Sequence, residues 1–144
     1  MKRQAVSLIS TLGLLLMAGS AVAQTIYVRA NIPFNFAVGN KTLPAGTYDV
    51  STIDNCGDKL LLVQAQDGHA SMMTDSNSAE NLKPADKAKF VFNKYRDQYF
   101  LAEIWTAGAT HGRRLPKTSR EKELAKELAQ DLTHQRVEIV ASLY

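Results

Sequence analysis

Glu103 has the strongest claim to chemistry in this chain. It lies among apolar neighbours in the segment Tyr99-Phe100-Leu101-Ala102-Glu103-Ile104-Trp105. A carboxylate buried there would carry a raised pKa, suited to acid–base work or to gripping a basic ligand. A single carboxylate, however, gives no partner for a second proton transfer. The expected state of Glu103 is therefore exposure to solvent, or pairing across the sheet with an arginine such as Arg113. Tyr99 and Trp105 fall on one strand face by alternation, and could stack on a sugar ring or a peptide. A core role is favoured, because an antiparallel sheet must cover at least one face. His111, Arg113 and Arg114 form a basic cluster before Pro116. With Lys117, Arg120 and Lys122 it would attract an anionic surface such as lipopolysaccharide, phospholipid or an acidic polymer. Glu121, Glu123, Glu127 and Asp131 largely cancel that charge, which favours a solvated helix face. The candidate ligand-contacting residues are thus Glu103, Trp105, Tyr99, His111 and Arg113, and none is assigned a catalytic role.

Other chemistries lack their spacing. His69, His111 and His134 sit in different segments, whereas a zinc site wants close histidine or cysteine pairs. There is no glycine-rich phosphate loop, no G-x-S-x-G elbow and no calcium loop. No metal and no cofactor is expected. A Ser-His-acid site assembled only in the fold stays open as an alternative. Cys56 is the one cysteine, so no intramolecular disulfide can form. It reads as a small residue in the turn Asn55-Cys56-Gly57-Asp58, with pairing between chains as the alternative.

From Thr25 to about Trp105 the dominant period is two, as half-buried strands require. A short strand opens at Tyr27 and ends near Ala30. Ile32, Phe34, Phe36 and Val38 then share a face, with Asn35 opposite. Gly39-Asn40-Lys41 and Leu43-Pro44-Ala45-Gly46 read as turns. Tyr48 and Val50 restore alternation. Lys59 to Gln66 is a continuous apolar run that suggests a strand covered on both faces. A weaker strand runs from His69 to Met73, and the polar residues 75–87 read as a loop. Phe90 and Phe92 begin the clearest hairpin, turning at Lys94–Gln98 and returning through Tyr99–Trp105. Neither face of that second arm is plainly polar, so alternation leaves open which one points inward.

At Thr118 the pattern changes. Thr118-Ser119-Arg120-Glu121 fits a capping box, in which threonine oxygen and glutamate carboxylate both satisfy free backbone amides. Leu124, Leu128 and Leu132 recur every four residues, predicting a helix over 118–133. Val137, Ile139, Ala141 and Leu143 share a face in a final strand. The fold class expected is mainly β: an antiparallel β-sandwich or small barrel of about seven short strands, then a helix and a closing strand.

Residues 1–23 predict an export signal. Lys2 and Arg3 precede an uncharged stretch from Ala5 to Ala23, apolar at its centre and ending in small residues suited to cleavage after Ala23. A retained span is the competing reading, since about 17–25 residues suffice. The small-residue exit favours cleavage, leaving 24–144 as a single β-rich domain in the periplasm or outside the cell. The leader holds two of the 17 basic residues and none of the 14 acidic ones, so net charge falls from +3 to +1. Nucleic-acid binding loses its support with that subtraction. An outer-membrane barrel is disfavoured, because the apolar residues of the last strand lie out of phase with Tyr144 and a charged helix precedes it.

The stretches Ile32-Pro33-Phe34-Asn35-Phe36, Val38-Gly39-Asn40 and Leu43-Pro44-Ala45-Gly46-Thr47-Tyr48 resemble the opening of a family of small exported bacterial proteins. Asp97-Gln98-Tyr99-Phe100-Leu101, Glu103-Ile104-Trp105 and Arg120-Glu121-Lys122-Glu123-Leu124-Ala125 resemble its second half. The resemblance implies a single exported domain and assigns no activity. In the family an acidic residue often stands where this chain has Asn35. The function expected is a non-catalytic binding or envelope-associated domain, its partner an envelope component or another protein. The alternatives are a small hydrolase or a ligand carrier.

Overall fold

The computed structural model describes residues 26–53, 60–129 and 134–143. The export signal, Cys56 and the predicted end of the helix lie outside them. The elements are β1 (Tyr27–Ile32), β2 (Phe36–Val38), β3 (Lys41–Leu43), β4 (Gly46–Thr52), β5 (Leu60–Ala65) and β6 (Ser71–Asp75). They continue as β7 (Asn77–Glu80), β8 (Lys89–Tyr95), β9 (Gln98–Trp105), β10 (His111–Arg114), α1 (Ser119–Leu128), β11 (His134–Val140) and β12 (Ser142–Leu143).

The strands form two sheets. One has the order β12-β1-β4-β5-β6; the other runs β11-β8-β9-β10-β7, with β2 beside β9 and β3 beside β2. The architecture of the described residues is sandwich-like, with no closed barrel among them. Alternation drives it. Val28, Ala30 and Ile32 of β1, Tyr48 and Val50 of β4, and Leu61 and Val63 of β5 turn inward from the first sheet. Phe90 and Phe92 of β8 meet them from the second. Burial of each such large apolar side chain contributes about 1.5–3 kcal/mol. The Ile32–Val38 stretch is two strands rather than one, broken around Pro33, which has no amide for a ladder. Both of its phenylalanines still reach Phe92, Phe34 at 5.1 Å and Phe36 at 5.5 Å between ring centres. Gly39 opens the β2–β3 turn at φ 56°, the conformation a two-residue hairpin loop needs at its first position.

Several expectations are corrected. β5 is covered on one face, not two: Leu61, Val63 and Ala65 are buried, Leu60 and Leu62 half-buried, and Gln64 exposed. Residues 75–87 are not simply a loop, because β7 pairs with β10 over four positions. The closing strand is interrupted at Ala141, and among the described residues ten strands precede the helix where about seven were expected.

Both interruptions have one cause. The chain passes from an edge of one sheet to an edge of the other at a single residue, Ser76 between β6 and β7, and Ala141 between β11 and β12. Such switches are how sandwich corners are made. Arg113 fastens the first corner, its Nε donating to Ser76 Oγ and its Nη2 to Ser76 O, both at 3.0 Å. At the second, Ala141 N donates to Ala88 O at 2.8 Å.

Candidate functional site

A β-bulge decides which side chains meet. On β8, Val91 pairs with Glu103 and Phe92 with Leu101, so Ala102 is an extra residue on β9. An inserted residue reverses alternation beyond it. Leu101 and Ile104 therefore both face the core between the sheets, and Tyr99 packs with them. Phe100, Glu103 and Trp105 turn to the outer face, where α1 and the segment before β8 cover their ends. The expectation that Tyr99 and Trp105 share a face is overturned by this one residue.

On that outer face Glu103 is 3% exposed and fully engaged. Trp105 Nε1 donates to Oε2 at 2.9 Å, and Arg136 Nη2 donates to the same oxygen. Arg114 holds the other oxygen, with Nε and Nη2 each 3.0 Å from Oε1. Oε2 thus accepts two hydrogen bonds, and Oε1 accepts one from Arg114 Nε with Nη2 in ion-pair contact. Burial alone would push the carboxyl up, but the Trp105 N–H and the Arg136 and Arg114 guanidiniums outweigh it, and the pKa lies below the ordinary value. This is the reverse of a raised, proton-transferring acid. The cross-strand partner is Arg114, which lies opposite Glu103 in the ladder, whereas Arg113 lies opposite Ile104. Arg136 of β11 completes the set from two strands away.

Of the other candidates only Trp105 joins it, through its indole N–H. Trp105 is 1% exposed, packed with Ala79, Ala85 and Val91, and unavailable as a stacking platform. Its ring lies over Gly112, where a Cβ would stand 2.6 Å from Trp105 Cε3 and 2.7 Å from Ile104 O. Tyr99 stacks on Phe34 with ring centres 3.7 Å apart. His111 is exposed, with Nε2 3.4 Å from Glu80 Oε1. His111 and Arg113 share a hollow of about 110 Å³ with Thr52 and Ser78. The five residues occupy three environments and do not converge.

The sequence pattern gave no hint of a second buried carboxylate. The Thr118 hydroxyl accepts from Glu121 N at 3.2 Å, as a capping box requires. The Glu121 carboxylate does not turn back to the helix start. It is buried against β8, where Oε1 accepts from Asn93 Nδ2 at 2.9 Å and Tyr95 OH at 3.2 Å. Burial and then the charge of Glu121 push the Tyr95 phenol up to about 12. His134 adds a ring stacked on Tyr95 and a contact of 3.2 Å from Nε2 to Asn93 Oδ1.

A cleft of about 600 Å³ lies elsewhere, at one end of the first sheet. The β3–β4 and β5–β6 turns wall it, contributing Leu43, Pro44, Tyr48, Asp67 and His69. Tyr48 OH donates to Pro44 O at 2.7 Å, so its phenol serves the turn. Among the described residues no three His, Cys, Asp or Glu side chains gather to hold a metal ion. No helix among them is long and apolar enough to cross a membrane. No protein-family model, no curated protein and no solved structure matches this chain.

Proposed function

We propose that this chain is a non-catalytic exported β-domain that binds a partner or contributes to a bacterial envelope. The state of Glu103 carries the reading. A general base needs a free lone pair near the proton it takes, and a general acid needs a pKa near the working pH. Glu103 has both oxygens occupied and a pKa moved the opposite way. Its role is to join β9, β10 and β11 by charge. The proposal is tested with purified protein, lacking residues 1–23, against a panel of esters, glycans and peptides. No turnover is expected; turnover that is lost in Glu103→Gln would end the reading. Export is tested separately, by mass spectrometry of the secreted product, which should begin at Gln24.

One observation favours a ligand-carrying version of the same role. The cleft of about 600 Å³ falls within the range of small-molecule sites, roughly 300–1,000 Å³. Native mass spectrometry of freshly purified protein should then show a co-purifying small molecule, displaced by a bulky substitution at Ala70 of the cleft wall, such as Ala70→Trp.

A further inference from the structure

Arg114 and Arg136 are held by the same buried carboxylate, yet their own side chains remain 58% and 52% exposed, against 5% for Glu103. Each guanidinium carries five N–H donors in a fixed fork. Arg114 donates to Glu103 through Nε, with Nη2 3.0 Å from the same oxygen, and Arg136 donates through Nη2. Among the described residues neither arginine has another partner, so the outward donors of both face water.

We propose that these two exposed guanidiniums form a phosphate-binding site, oriented from beneath by Glu103. This inference rests on the non-catalytic binding role and names its ligand chemistry. The charge argues for an anion: two arginines and one carboxylate leave a net +1 on a small area. A singly charged phosphate, free or as the diester of a lipid headgroup, cancels it. The geometry argues for phosphate: guanidinium forks match its oxygens bidentately, and two forks fixed on one carboxylate are already paired before the ligand arrives. Pre-ordering removes the side-chain entropy that binding would otherwise cost. The nearest acid in phase on β11, Glu138, is itself tied to Lys89 at 2.8 Å and does not leave an unopposed negative charge beside the site.

The test is a phosphate titration at constant ionic strength, followed by nuclear magnetic resonance of the arginine Nε–H and Trp105 Nε1–H signals. Saturable shifts at Arg114 and Trp105 with phosphate, and not with chloride, are expected. Arg114→Lys and Arg136→Lys keep the charge but lose the fork, and each should weaken binding by about five-fold or more. Equal shifts with chloride, or unchanged affinity in both lysine variants, would overturn the site. Vesicles of phosphatidylglycerol separate the two sources of phosphate. Sedimentation of the wild type with them, lost in the lysine variants, assigns a headgroup; saturable phosphate shifts without sedimentation assign a soluble phosphate. Failure of the titration leaves the non-catalytic role standing, since that role falls only to turnover.

Discussion

Two carboxylates are buried on the outer face of the second sheet, and they are stabilised in opposite ways. Glu103 sits on a strand and draws on two guanidiniums and an indole N–H, which together occupy both oxygens. Glu121 sits in the first turn of α1 and draws on a carboxamide and a phenol, both on one oxygen. Among the described residues no cation comes within salt-bridge distance of Glu121, and dipoles serve in place of charge. The helix start adds to them, since an N-terminal turn favours a negative group. Glu103 fastens three strands into one sheet by charge, and Glu121 fastens the helix to that sheet by hydrogen bonds.

The largest effects should come from removing each carboxylate. Glu103→Ala leaves the buried Trp105 N–H without an acceptor and two arginines without their counter-ion. Breaking a wholly buried pair costs about 3–5 kcal/mol, and the half-exposed arginines recover some hydration, so roughly 3 kcal/mol is expected. Glu121→Ala strands only neutral donors and should cost about 2 kcal/mol. Urea unfolding of both variants measures the difference. A larger loss at Glu121 would break the contrast.

Substitution by glutamine sharpens it. Glutamine keeps one carbonyl oxygen and replaces the other with an amino group. At position 121 that one oxygen can accept from both Asn93 and Tyr95, so Glu121→Gln should cost less than about 1 kcal/mol. At position 103 both oxygens are in use, and the new amino group must face an arginine or the indole. Glu103→Gln should therefore cost about 2 kcal/mol. The counting of engaged oxygens fails if the two glutamine variants unfold at the same urea concentration.

Much of this was legible in the residues, and the remainder has identifiable causes. The mainly β class, the β8–β9 hairpin and the helix capped by Thr118 followed from local periodicity and capping, whereas sandwich and small barrel stayed open. Ala102 was not legible as a bulge, because an inserted residue changes phase without changing composition. Glu103 and Trp105 therefore share a face, and Tyr99 falls on the opposite one. The arginine partner was misplaced by one position, Arg113 for Arg114, since pairing register is not written in either strand alone. No local pattern pairs Arg136 with Glu103, because the two lie on different strands with β8 between them. By sequence Glu121 is half of a capping box. Its threonine half holds, and the sheet outcompetes the helix start for its carboxylate.

Acid should narrow the gap between the wild type and Glu103→Gln. The folded pKa of Glu103 lies below its ordinary value of 4.5. The stabilisation it provides is therefore complete above that value and is lost as pH falls through the folded pKa. Other titrating groups cancel in the difference between the two proteins. The difference in unfolding free energy should stay constant from about pH 7 to pH 6 and shrink below about pH 4.5. A gap that widened in acid would show that Glu103 is not held in its charged form by the arginines.

The smallest effect separates the two carboxylates most cleanly. Thr118→Ala removes the cap of α1 and should cost about 1 kcal/mol by itself. The Thr118 hydroxyl fixes the backbone amide of Glu121, the same residue whose carboxylate reaches Asn93 and Tyr95. Loosening that turn and altering that side chain therefore act on one unit. A double-mutant cycle of Thr118→Ala with Glu121→Gln should show a coupling of at least about 0.5 kcal/mol. Glu103 shares no partner with Thr118, and the cycle with Glu103→Gln should be additive to within about 0.3–0.5 kcal/mol. Strong coupling in both cycles would mean that one cooperative network spans the outer face, and the distinction between a charge clamp and a dipole clamp would lose its meaning.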